Sequence, residues 1–172
     1  SDLQAALKEV NLPEKQRETL LAKHQALREL LRSYTLADSL SSLAQGGRHV
    51  TLQSGGLELP APSPQPPEML KVPEGLPGEF ADYLRGAIAY WQGNVVEARA
   101  AWQAILDRPA SLRRYRSTWA AFMLGKSWFQ DDPAKDDPAQ AVVWFERVRD
   151  LAGQGFIDSL GLAATSLGWQ AR

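Results

Sequence analysis

The chain has 172 residues, 44% of them hydrophobic and 23% charged, with a formal net charge of -1. That length carries one domain, or one domain with an appendage, and the composition is that of a globular protein with a core, not of a disordered or fibrous one. No global field draws it to nucleic acid or anionic lipid, and the lack of cysteine excludes disulfides, thiolate metal sites and cysteine nucleophiles.

The opening residues SDLQAALKEV lack the charged-then-apolar pattern of a signal peptide, although a signal removed ahead of residue 1 is compatible with them. Leu3, Leu7 and Val10 share one helical face. Further on, Leu20, Leu27, Leu31 and Tyr34 recur close to heptad spacing. Asn11 is a candidate cap ahead of Pro13, which suits a first helical turn. Residues 1–45 therefore read as a helical hairpin, one short helix and one long.

Val50 and Leu52 on one side of QSGG, with Leu57 and Leu59 on the other, suggest a small β-hairpin. Seven of the eleven prolines then fall between Pro60 and Pro77, which makes residues 46–78 an extended, proline- and glycine-rich connector. Beyond it, in residues 79–172, the helical signal is dense. Helices are expected over EFADYLRGAIAYWQ and VVEARAAWQAIL, broken at GN, then over RSTWAAFMLGKSWFQ and PAQAVVWFERVRDL, broken at DDPAKDDP, with a fifth beginning at GFIDSLGLAATSLGW.

Gly86, Gly125 and Gly161 align as the same position of an internal repeat, with Gly93 and Gly168 each seven residues further on. Ala98 and Trp102 of the first unit correspond to Ala141 and Phe145 of the second. A glycine in a helix interior weakens it by about 1 kcal/mol, so Gly86 needs a compensating contact. A small residue in each helix lets two backbones approach, and an aromatic ring fills the gap between units. Gly93 reads as a turn glycine in the left-handed region.

This arrangement resembles the tetratricopeptide repeat, whose 34-residue helix-turn-helix unit has small residues and an aromatic at these places. The expected fold is thus all-α: a TPR-like α-solenoid fragment preceded by the helical hairpin and the proline-rich linker. Arg85, in the usual place of a leucine, Pro109, one place early, and four extra residues at the second turn depart from the pattern. The third unit has only its first helix. The chain is therefore expected to be cut from a longer protein, or to take the missing helix from elsewhere, including a second copy in a homo-oligomer. The wording of residues 84–94, 113–126 and 159–172 is also similar to a group of bacterial tetratricopeptide-type proteins, some of them exported, which tilts localisation towards the periplasm.

The resemblance implies that the first helix of each unit lines a concave groove, to which unit one gives Phe80, Tyr83, Ala87, Tyr90 and Trp91. Unit two gives Trp119, Phe122, Lys126, Phe129 and Gln130. Aromatic rings in a concavity supply apolar contact area at low entropic cost. A partner peptide or helix bound there would meet Phe80, Tyr83, Tyr90, Trp91, Trp119, Phe122 and Phe129, with Lys126 pairing a carboxylate. The competing expectation is that the N-terminal helices or the connector fold back and bury these rings, leaving a helical accessory domain of a larger enzyme or envelope assembly.

Other chemistry is weak in the sequence. Asp131, Asp132, Asp136 and Asp137 surround Lys135 without the spacing, glycine or glutamate of an EF-hand loop, and Asp137 before Pro138 reads as a cap. Arg108, Arg113, Arg114 and Arg116 lie near Tyr115 and Trp119, yet the near-neutral net charge favours pairing with acids or cover of aromatic rings over nucleic-acid binding. His24 and His49 have no second ligand at metal spacing. No nucleophile elbow, phosphate loop or dinucleotide fingerprint is present, so no cofactor and no enzymatic activity are expected. No apolar run approaches the roughly 18 residues of a membrane span.

Overall fold

A computed structural model of the chain describes residues 1–45, with side chains as far as residue 33, together with residues 70–129 and 137–170. The expected β-hairpin, most of the proline-rich connector, His49, Gln130 and Asp131, Asp132 and Asp136 lie outside the described residues. Within them, every regular element is helical: α1 (Asp2–Glu9), α2 (Glu14–Gln45), α3 (Gly78–Trp91), α4 (Val95–Leu106), α5 (Ser117–Lys126), α6 (Pro138–Gly153) and α7 (Leu162–Gln170). None of these is long and apolar enough to cross a membrane.

Local chemistry places most helix ends. Gly93 takes φ +77° between α3 and α4, a conformation that penalises any Cβ. Asn94 then caps α4, its side-chain oxygen accepting from the Glu97 amide at 3.3 Å. Asp137 caps α6 in the same way, accepting from the Gln140 amide at 3.1 Å, with Pro138 in the first turn. At α2 the cap differs from expectation. The Pro13 carbonyl, not Asn11, opens the helix by accepting from the Gln16 and Arg17 amides.

The start of α7 is also corrected. The helix begins at Leu162, not at Gly155, because Gly155 and Gly161 sit at φ +89° and +65° and Asp158 accepts from the Leu162 and Ala163 amides at 2.7 and 3.0 Å. Gly161 is therefore a turn residue ahead of a helix, not a third copy of Gly86. Among the described residues, no neighbour lies within 4 Å of a Cβ added at Gly161 or Gly168.

The other two glycines are seats for aromatic rings. A Cβ on Gly86 would lie 2.7 Å from Trp102 Cε2 and closer still to Nε1, and one on Gly125 would lie 2.7 Å from Phe145 Cε1. Trp102 and Phe145 are fully buried. The Trp102 indole N–H donates to the Tyr83 carbonyl at 3.3 Å, which satisfies its one polar atom. Each helix from α3 to α7 packs on the next, α5 also touches α7, and α2 packs on α3.

Three apolar clusters result. Leu3, Leu7, Leu20 and Leu27 of α1 and α2 join Phe80 and Leu84 of α3 in the first. Trp102 and Ile105 of α4 centre the second, together with Ala120 and Leu124 of α5. Phe122, Phe145, Val148, Leu151 and Leu162 form the third, between α5, α6 and α7. Polar clamps tie the layers. Asp82 accepts from Arg108 Nε and Nη2 at 3.0 and 2.6 Å and also pairs with Arg85. Arg99 donates to the Ser127 hydroxyl and carbonyl at 2.9 and 2.6 Å, its guanidinium 3.3 Å from the Trp128 ring centroid.

Candidate functional site

The aromatic residues expected to line one groove fall into overlapping groups spread over the three apolar clusters. In the first, Tyr83 meets Trp119 edge-to-face with centroids 5.6 Å apart, and Phe80, only 1% exposed, lies in the core beneath α1 and α2. Trp91, half-buried, packs against the same core. Tyr90 packs with Tyr83 against the second cluster, its ring 5.6 Å from that of Trp102. In the last group Phe122, Phe129, Phe145 and Trp169 form a ring cluster, Phe129 stacking on Phe145 at 6.1 Å and Phe122 meeting Trp169 edge-on at 6.4 Å. Lys126 Nζ lies 5.1 Å from the Trp169 centroid, so its observed neighbour is a ring of α7. Ala87 is half-buried.

Arg116, which the sequence offers only as one of four nearby arginines, is the centre of the first group. Its guanidinium carbon lies 4.4 Å from the Phe80 centroid, 5.5 Å from Tyr83 and 5.2 Å from Trp119, a cation held by ring faces. The residue is 6% exposed. Its Nη1 reaches Asp2 Oδ2 at 3.4 Å, whereas its buried Nε has no hydrogen-bond partner among the described residues. Burial pulls its pKa below the usual arginine value, with Tyr83 and Asp2 acting against that pull. The other arginines also meet acids or rings: Arg108 pairs with Asp82, Arg114 with Glu9 at 3.6 Å, and Arg113 lies over Phe156 at 4.4 Å.

The junction ahead of α5 is held from α3. Glu79 is 5% exposed, and its Oε2 accepts from the Tyr115 and Arg116 amides at 2.9 and 2.7 Å. It thereby satisfies the amide of the α5 N-cap residue and that of the residue before it. Burial raises its carboxyl pKa despite these bonds. Tyr115 in turn donates its hydroxyl proton to Glu9 Oε1 at 2.7 Å, a bond that raises the phenol pKa. Tyr83, half-buried as a whole, has a desolvated phenol end that is likewise pushed upward.

His24 of α2 closes this region from the other side, its ring meeting Phe80 at 6.3 Å in a T-shaped contact. Burial, with the positive charges of Arg28 and Arg116, lowers its pKa to about 4, so the imidazole is neutral at pH 7. Between about pH 6.5 and 4 the unfolded chain carries a proton on His24 that the folded chain refuses, so stability falls as pH drops through that window. The loss amounts to about 3 kcal/mol at most. His24→Leu is expected to remove this part of the acid sensitivity, measured as denaturant unfolding over a pH series. Glu79, whose raised pKa acts in the opposite sense, is present in both proteins and cancels from the comparison.

Around His24 lies a cavity of about 590 Å³ between α1, α2 and Arg116, with Arg28 and Arg32 on its α2 wall. The spacing of four between His24, Arg28 and Arg32 was the available signal for it, but one helix alone gives no hint of what faces the stripe. Among the described residues, no group of three His, Asp or Glu side chains is placed to hold a metal ion. Compared with protein-family models, with curated proteins and with solved structures, the chain matches none of them.

Proposed function

We propose that the chain is a non-catalytic helical scaffold domain built on a TPR-like repeat, whose aromatic face is occupied by its own helices and which serves as an accessory part of a larger protein assembly. The observation that carries this reading is the burial of Phe80 beneath Leu3, Leu7, Leu20 and Leu27. A ring in that position of an open groove would be exposed to a ligand. The seating of Trp102 on Gly86 and of Phe145 on Gly125 supports the repeat, since the same small-residue and aromatic pairing recurs in successive helix pairs. Capture of a partner peptide by Phe80, Tyr83, Trp119 and Phe122 would require α1, α2 and α7 to leave first, exposing a contiguous apolar patch that solvated monomers rarely carry.

Trp119 reports on this directly, because its indole nitrogen is buried and its ring meets both Tyr83 and Arg116. Comparing the chain with Trp119→Phe isolates the emission of that residue. A blue-shifted component with weak acrylamide quenching is expected. A red-shifted component quenched as readily as free indole would contradict the self-occupied face and favour an open peptide groove.

A further inference from the structure

We propose that the cavity between α1, α2 and the start of α5 binds a small organic dianion, one oxyanion group meeting Arg28 and Arg32 at the mouth and the other reaching Arg116 at the floor. The site is independent of the repeat reading. Its volume of about 590 Å³ lies in the range of small-molecule sites, roughly 300–1,000 Å³. Arg28 and Arg32 stand one helical turn apart and both line it. Like charges at that spacing weaken a helix, and neither arginine forms an ion pair among the described residues.

Arg116 supplies the second anchor. It is more than nine-tenths buried, lines the same cavity and is hydrogen-bonded through Nη1 to Asp2, its Nε being closed to solvent, while its ring neighbours hold the guanidinium in place. Buried guanidinium donors without a full set of acceptors are costly, and a planar oxyanion is the group that satisfies them two at a time. The acids nearby are Glu29 on the lining, Asp2 on Arg116 and, behind the cavity, Glu79, which accepts from the Arg116 amide. The lining itself carries three guanidinium groups and one carboxylate, so it favours an anion, whose second charge is held at the arginine-rich mouth. Neutral His24 and Gln25 offer N–H donors, and Leu3 and Leu21 give an apolar wall for a carbon skeleton.

The test uses the full chain titrated with succinate, glutarate, acetate and inorganic phosphate, followed by the arginine Nε–H and imidazole resonances. Succinate or glutarate is expected to bind saturably, to shift the Arg116 Nε–H signal and to raise the His24 pKa from about 4, because an anion close by favours the imidazolium. Acetate and phosphate should bind at least about tenfold more weakly, each lacking either the second charge or the carbon skeleton. The Arg28→Gln/Arg32→Gln double variant changes two exposed side chains, so folding, checked by circular dichroism, is retained while affinity falls at least about tenfold. Absence of saturation with either dianion, equal affinity for acetate or phosphate, or affinity unchanged in the double variant would overturn the proposal.

Discussion

Replacing Phe80 with alanine is expected to destabilise the chain by about 3–5 kcal/mol, the cost of deleting a fully buried aromatic ring and leaving a cavity. Phe80 is 1% exposed. Its ring faces Tyr115 at 6.1 Å, His24 at 6.3 Å and the Arg116 guanidinium at 4.4 Å. The loss is expected to concentrate at the N-terminal end of the fold. Without the ring, Leu3, Leu7, Leu20 and Leu27 lose their common partner, and Arg116 loses one of the faces that cover its charge. Denaturant unfolding gives the magnitude, and amide hydrogen exchange gives the location, with α1 and α2 losing protection before α5, α6 and α7. If Phe80 were a groove-lining ring exposed to solvent, the same substitution would stay within about 0.5 kcal/mol of the parent.

The helical character and most breaks of the fold are legible in the sequence because they are local. Gly93 and Asn94, or Asp137 and Pro138, carry their own turn and cap chemistry, and the structure uses them accordingly. The start of α7 is not legible for the opposite reason. Phe156, Ile157 and Leu160 continue an apolar pattern, but distant partners hold that segment out of helix: the Ile157 amide donates to the Arg114 carbonyl at 3.1 Å, and its carbonyl accepts from the Thr118 hydroxyl at 2.7 Å. Such bonds leave no periodic trace.

The candidate site was legible only as a set of residue types. Spacing brings Phe80, Tyr83 and Trp119 to attention, and the expectation that nearby arginines cover rings and pair with acids describes Arg108, Arg114 and Arg116 well. What covers Phe80 depends on Leu3 and Leu7, more than seventy residues away in the chain, where no helical period can register it. The placement of Arg116 opposite His24 and Arg28 has the same origin.

Gly86 and Trp102 carry the second large effect, and a double-mutant cycle on them is the most direct test of the account. Trp102→Ala is expected to cost about 3–5 kcal/mol, since the indole is wholly buried. Gly86→Ala in the parent chain is expected to cost about 1–3 kcal/mol, because the new Cβ would stand 2.7 Å or less from three atoms of the indole, which outweighs the gain in helix propensity of about 1 kcal/mol. In the Trp102→Ala background the ring is gone, so Gly86→Ala should change sign and stabilise the chain by up to about 1 kcal/mol. A cost for Gly86→Ala that is the same in both backgrounds would show that the glycine is not a seat for the ring, and would contradict the packing on which the helix pairs depend.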